Sequence, residues 1–129
     1  MVIDGSAAVE MLLDTAPGRR LSSRLAAESV EIHVPHVVDL EIAHALRRYV
    51  RQGAFDAARG TRALRRWRHL RAERYEHRRF LDRIWALRHN VSAYDAVYVA
   101  LAEALSTTLL TADRRLAGAP GLEGRIELI

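Results

Sequence analysis

Four carboxylates, Asp4, Glu41, Asp95 and Asp113, stand where an α/β chain gathers chemistry. Asp4 closes the short apolar run Met1–Ile3, which reads as a buried strand. Asp113 lies just past the apolar segment Thr107–Leu110, read as another strand. Glu41 falls nearly two turns into the helix expected after Pro35, and Asp95 in the first turn of the helix expected over Tyr94–Leu105. In an open parallel sheet, ligands gather outside the carboxyl ends of the strands. With the first strand central, all four acids reach one rim. Carboxylates crowded into one cleft resist ionising together, and a divalent cation removes that cost. Oxygen donors without cysteine, and histidines at 33, 36, 44, 69, 77 and 89 that show no His-Glu-x-x-His spacing, favour Mg²⁺ or Mn²⁺ over Zn²⁺. Such an ion also holds a substrate phosphate and activates water, so the pattern points to metal-assisted phosphodiester hydrolysis. Taken singly, each acid fits a plainer role: helix capping for Asp4, Asp95 and Asp113, an exposed surface for Glu41. The argument lies in their joint placement.

Composition narrows the alternatives. The chain has 129 residues, no cysteine, and 20 basic residues that are all arginine. Disulfide scaffolds, zinc ribbons, iron–sulfur sites and cysteine nucleophiles are excluded. So are a P-loop lysine, a Schiff-base lysine, and the lysine that partners a phosphorylated aspartate. That last absence counts against a phosphate-transfer domain using Asp4 as nucleophile. A chain of this length buries roughly two thirds of its unfolded surface and needs no structural metal to fold. The charge is segregated: Arg47 to Arg88 carries 14 arginines against Asp56, Glu73, Glu76 and Asp82, a formal +10, while the remainder is −6. Four acids cannot pair 14 arginines locally, so the basic middle suits a polyanion or an acidic protein partner. No apolar run reaches 18 residues, so no membrane span is expected. The N-terminal Met-Val-Ile-Asp-Gly lacks the layout of a signal peptide, and a cytoplasmic location is expected.

The elements that must position the acids follow from periodicity and punctuation. After the first strand, a helix is expected from Ser6, as N-cap, to about Asp14, where Pro17-Gly18 breaks it. A second helix spans Leu21–Glu28 and a strand Val30–Val34, ended by Pro35. The next helix runs to Arg51 with Gln52-Gly53 as its stop. A basic helix spans Phe55–Glu73, with Ala57, Leu64, Trp67 and Leu70 inward. Arg74–Glu76 reads as a short strand. Arg79–His89 reads as a helix carrying Leu81, Ile84, Trp85 and Leu87. Ser92 caps the following helix, a short helix ends near Ala117, and Ile126–Ile129 is a last strand. This alternation predicts a three-layer α/β fold with a mainly parallel sheet.

Four blocks carry a resemblance: Val2-Ile3-Asp4-Gly5-Ser6; Pro35-x-Val37-Val38-x-x-Glu41-Ile42-x-x-Ala45-Leu46; Tyr94-Asp95-Ala96-x-Tyr98-Val99-Ala100-Leu101-Ala102; and Leu109-Leu110-Thr111-Ala112-Asp113-x-x-Leu116. Together they resemble the PIN-domain ribonucleases, most nearly the VapC toxins of bacterial VapBC toxin–antitoxin pairs. The resemblance covers residues 1–129 as a single PIN-like domain. It implies an α/β/α sandwich with a five-stranded parallel sheet and an acidic Mg²⁺ site. It also implies a homodimer, a cognate VapB-type antitoxin, and endonucleolytic RNA cleavage leaving 5′-phosphate and 3′-hydroxyl ends. Asp4, Glu41, Asp95 and Asp113 match the family's four acids. Asp4 and Asp95 are the strongest candidates for direct metal ligands; Glu41 and Asp113 bind directly, through water, or hold a second ion. Ser6 and Thr111 match the small hydroxyl residues that support the site by hydrogen bonds. The position three after Glu41, usually Asn in the family, is His44 here.

Other residues carry weaker signals. Asp39, two positions before Glu41, points to nearly the opposite side of its helix and reads as exposed or capping. Trp67 and Trp85 share helical spacing with leucines and read as core or dimer packing. Arg62, Arg65, Arg66 and Arg68 suit RNA backbone contact, or equally an acidic antitoxin tail. A non-catalytic RNA- or protein-binding module with a basic helical face is the alternative to a nuclease.

Overall fold

Val2 and Ile3 are fully buried, and that dictates the placement of their strand. A strand covered on both faces belongs in the middle of a parallel sheet with helices on either side. The computed structural model describes residues 1–122 and 125–129 and places β1 (Val2–Ile3) at the centre of a five-stranded sheet. The order is β3-β2-β1-β4-β5, where β2 is His33–Pro35, β3 Glu73–Tyr75, β4 Leu109–Thr111 and β5 Ile126–Leu128. Every pairing is parallel. Val2 lies opposite His33 on one side and Leu109 on the other, with Ile3 opposite Leu110. Asp4 therefore leaves β1 level with Thr111, the last residue of β4.

The crossovers set the layers. From β1 the chain steps outward to β2 through α1 (Gly5–Leu12) and α2 (Ala16–Ala27), then to β3 through α3 (Val38–Arg51) and α4 (Ala57–His69). Right-handed crossovers in one direction put these four helices on one face, and they pack against one another. The return across the sheet to β4 uses a 3₁₀ turn (Arg78–Phe80), α5 (Leu81–Ala86) and α6 (Ala93–Ala104), which form the other layer. The short α7 (Arg114–Ala117) joins β4 to β5. The strand order reverses between β1 and β4. That is the crevice where α/β sheets hold ligands. The seven residues Ala96–Ala102 of α6 are all buried, so this helix is a core element on nearly every side.

Several local expectations need correction. Asp4, not Ser6, caps α1: its side chain accepts from Ala7 N, leaving Ser6 free to reach β4. Pro17-Gly18 opens α2 instead of merely ending α1, because Thr15 caps that helix and proline suits its first turn. β2 begins at His33, so Val30–Ile32 stay outside it; β4 ends at Thr111, one residue later than expected. The basic helix stops at His69, and Glu73 pairs with His33 in β3. The helix expected from Arg79 to His89 shrinks to the 3₁₀ turn and α5. Phe80 and Leu87, at its two ends, take the buried places. Leu64 is 42% exposed, Leu81 56% and Trp85 69%. Trp85 lies instead beneath the Arg88 guanidinium, 5.1 Å from the ring centroid. Trp67, by contrast, is core, as its spacing predicts.

Asp39 holds more than a solvated or capping position. It accepts from Trp67 Nε1 at 2.6 Å and from Arg74 Nε and Nη2 at 3.1 Å each, tying α3 to α4 and β3. Burial pushes its carboxyl up, but the Arg74 and Trp67 donors outweigh this and hold it below the usual carboxylate range.

Candidate active site

Asp4 occupies the first position past the central strand, 5% exposed. One carboxylate oxygen, Oδ1, accepts from Ser6 Oγ at 2.7 Å and Ala7 N at 2.8 Å; the other accepts from the Thr111 hydroxyl. Ser6 Oγ in turn accepts from Ala112 N at 2.8 Å, and Thr111 Oγ1 from Asp113 N at 2.9 Å. The two hydroxyls thus lock Asp4 across the β1–β4 crevice, in the supporting role expected of them. Burial pushes the Asp4 carboxyl up despite these donors, and the charge of Asp95 adds to the effect.

The other three acids converge on the same rim. Glu41, on α3, is half-buried and accepts from Tyr98 Oη at 2.6 Å. Burial raises its carboxyl above the usual range, opposed by the Tyr98 donor and reinforced by the charges of Asp4 and Asp95. Asp95 lies in the first turn of α6; Ser92 Oγ donates to its Oδ2 at 2.8 Å and accepts from its backbone N–H at 3.1 Å. Asp113 caps α7 and is gripped by Arg115, whose donors hold its carboxyl below the usual range. The Arg115 guanidinium also feels the charge of Asp95.

Glu41 and Asp113 border a cleft of about 1020 Å³, lined also by Gly5, Ser6, His44, Arg48, Tyr94 and Arg115. Leu40, 73% exposed, and Tyr94, 65% exposed, stand at its walls. Arg48, Arg114 and Arg115 supply positive charge there. Arg62, Arg65, Arg66 and Arg68 lie on α4 and are not among the cleft's lining residues. Arg66 is already paired with Asp14 at 2.7 Å and donates to the Leu12 carbonyl. Sequence reasoning missed the cleft arginines and Tyr98. The available signal for Tyr98 was its position three residues after Asp95, on the same face of α6. For Arg115 it was nearness to Asp113.

Among the described residues, no three His, Asp or Glu side chains are arranged as they stand to hold a metal ion. Each carboxylate is turned toward a protein donor: Asp4 toward Ser6 and Thr111, Glu41 toward Tyr98, Asp95 toward Ser92, Asp113 toward Arg115. The donor set nonetheless suits a hard divalent cation. The four acids offer oxygen alone, and burial and mutual repulsion raise Asp4 and Glu41, a cost that a cation would offset.

A family model described as PIN domain matches residues 1–122, and the chain belongs to that family, with the VapC PIN-domain ribonucleases. It is 51% identical over 116 residues to the VapC ribonuclease Mb0985 of Mycobacterium bovis, covering 90% of this chain and 87% of that one. Identity to ribonuclease VapC1 of Mycobacterium tuberculosis is 42% over 129 residues, covering 99% and 96%. The crystal structure of PAE2754 from Pyrobaculum aerophilum matches with a TM-score of 0.74 at 21% identity, over 97% of this chain and 81% of that one. That likeness bears on the fold, and it agrees with the five-stranded parallel sheet described above. PIN-domain ribonucleases generally use divalent metals. Among the described residues no helix is long and apolar enough to cross a membrane.

Proposed function

We propose that this chain is a Mg²⁺-dependent endoribonuclease, the toxin of a type II toxin–antitoxin pair. On this reading it acts in the cytoplasm as a homodimer and is held in check by a VapB-type antitoxin. The observation that carries the reading is Asp4: a buried carboxylate, fixed by Ser6 and Thr111 at the β1–β4 crevice, with Glu41 and Asp95 charged beside it. A divalent ion held by Asp4 and Asp95, with Glu41 and Asp113 beside them, would supply an activated water and charge stabilisation for in-line phosphodiester hydrolysis; Mn²⁺ would serve in place of Mg²⁺. The protein's own part is positioning. Ser6 and Thr111 keep Asp4 from rotating. Arg48 and Arg114 offer bidentate donors to phosphates on the strand. Tyr94 presents a face on which a base can stack. Water adds to phosphorus and the bond to the 3′ oxygen breaks, leaving a 5′-phosphate and a 3′-hydroxyl.

The engagement of every carboxylate with a protein donor favours a second reading: an RNA- or protein-binding module with a silent acid cluster. One experiment separates the two. Purified chain, freed of antitoxin, is incubated with total RNA in Mg²⁺, Mn²⁺ or EDTA, beside Asp4→Asn. Discrete fragments that require both metal and Asp4 support the nuclease. Salt-dependent RNA binding without fragments in any divalent ion supports the module.

A further inference from the structure

The seat of Glu41 has an architecture that the four acids alone do not explain. Tyr98, 1% exposed in the core of α6, donates its hydroxyl to Glu41 Oε2 at 2.6 Å. On another side lies Gly5, the first residue of α1. A Cβ there would stand 2.6 Å from Glu41 Oε2 and 3.1 Å from Glu41 Cβ, closer than side chains pack. The Gly5 backbone also borders the Tyr98 hydroxyl. Three elements therefore meet on one carboxylate. Gly5 directly follows Asp4 and Tyr98 lies one helical turn beyond Asp95, so the groups that seat Glu41 are built into the segments that carry its two neighbours.

We propose that Tyr98 and Gly5 are positioning residues, forming a slot that fixes the Glu41 carboxylate toward Asp4 and Asp95 and so sets the site's affinity for a divalent cation. The link from that affinity to catalysis rests on the nuclease reading above. A glutamate on a helix has three side-chain torsions to immobilise before it can join an ion-binding site, and a slot that has already fixed them lowers that entropic cost. The missing Gly5 side chain gives the carboxylate its room. The Tyr98 hydroxyl aligns Glu41 Oε2.

The test uses the full chain, freed of antitoxin. It reads the Mn²⁺ dissociation constant by calorimetry, beside kcat and KM for RNA cleavage. The variants are Tyr98→Phe, Gly5→Ala, Glu41→Ala and the Tyr98→Phe/Glu41→Ala double. Tyr98→Phe is expected to weaken Mn²⁺ binding and lower kcat, each about tenfold or more, with KM unchanged. In the Glu41→Ala background it is expected to add no further loss. Unchanged Mn²⁺ affinity in Tyr98→Phe overturns the proposal; so does an equal loss in both backgrounds, since Tyr98 would then act without Glu41. Gly5→Ala reaches Glu41 from the other side and decides the matter if Tyr98→Phe fails to fold. The same loss of Mn²⁺ affinity is expected, and native affinity in folded Gly5→Ala overturns the slot. If the native chain cuts no RNA, the nuclease reading falls while the Mn²⁺ titrations still judge the slot.

Discussion

Arg115 grips both carboxylate oxygens of Asp113, with Nη2 2.9 Å from Oδ2 and Nε 3.4 Å from Oδ1. The Arg115 side chain is 91% exposed, so water and salt compete for it and the pair is easily opened. A cation approaching Asp113 must displace this guanidinium or share the carboxylate with it. Replacing Arg115 with alanine is therefore expected to tighten Mn²⁺ binding by a few-fold, measured by calorimetry at low ionic strength. High salt, which weakens the exposed pair, should narrow the difference. Weaker Mn²⁺ binding in the variant would show that Arg115 orients Asp113 for the ion instead of competing with it.

Asp4 combines two roles that substitution can separate. It caps α1 through Ala7 N and it forms the centre of the acid cluster. Asparagine caps a helix about as well as aspartate, so Asp4→Asn should melt close to the native chain. Loss of the charge should lower RNA cleavage by at least about 10³-fold, since metal assistance contributes several kcal/mol and each 1.36 kcal/mol is tenfold in rate. Asp4→Ala should lose the cap as well, at a cost of about 1 kcal/mol. Cleavage assays and chemical denaturation of the same preparations distinguish these outcomes.

The acids were legible in the sequence because their positions follow from strand ends and helix starts, which local patterns reveal. The level placement of Asp4 beside Thr111 follows once β1 is central, and Val2-Ile3 signals that by being apolar on both faces. What local patterns do not carry is which side chains cross between elements. The Tyr98 contact joins α6 to α3, the Asp39 contacts join α3 to α4 and β3, and the Arg66 contact joins α4 to Asp14 at the end of α1. Each depends on packing distances that no spacing within one helix encodes. The same holds for the exposed Leu64, Leu81 and Trp85: helical periodicity shows that a face is apolar but not whether a neighbour in the same chain covers it.

Asp4 and Glu41 give the metal-free chain a pH dependence of definite sign. Both carboxyls are raised in the fold, by burial first and by their acidic neighbours next. Their contribution to stability is thus greatest below the unfolded carboxylate range near pH 4 and is lost as pH rises through the raised folded values. Asp39 and Asp113, held low by Arg74 and Arg115, act in the opposite direction. The difference between Asp4→Asn and native chain isolates Asp4. In EDTA, the melting temperature of the variant should gain on the native one as pH rises from 4 to 7. Mn²⁺ at neutral pH should raise the native melt and leave the variant's nearly unchanged. A difference that is flat with pH would mean that Asp4 ionises in the folded chain as freely as in the unfolded one.

Asp39 supports the fold from the side of α3 away from Glu41. Removing it leaves the Trp67 indole N–H, near the core, and the Arg74 guanidinium without that carboxylate. Asp39→Ala should lower stability by about 1–2 kcal/mol, discounted for the half-exposed position of the carboxylate. Urea denaturation gives the stability. Cleavage per folded molecule, measured well below the unfolding midpoint, should stay native, because the Asp39 hydrogen bonds go to Trp67 and Arg74, away from the acid cluster.

The arginines of the cleft and those of α4 make different predictions for RNA binding. Arg48 and Arg114 line the cleft that Glu41 and Asp113 border, whereas Arg62, Arg65 and Arg68 project from α4. Each phosphate contact releases condensed counterions, so its loss reduces the slope of log affinity against log salt by about 0.7 on a single strand. Arg48→Ala and Arg114→Ala, made in the Asp4→Asn background so that RNA survives the titration, should each lower that slope by about this amount. The triple variant Arg62→Ala/Arg65→Ala/Arg68→Ala should change it less than either. The reverse ranking would put the RNA on α4 and leave the cleft arginines to hold the acids in place. Arg115→Ala offers an internal check, because its guanidinium is committed to Asp113. A slope change there as large as for Arg48 would mean that RNA draws Arg115 off the carboxylate, opening Asp113 to a cation as substrate binds.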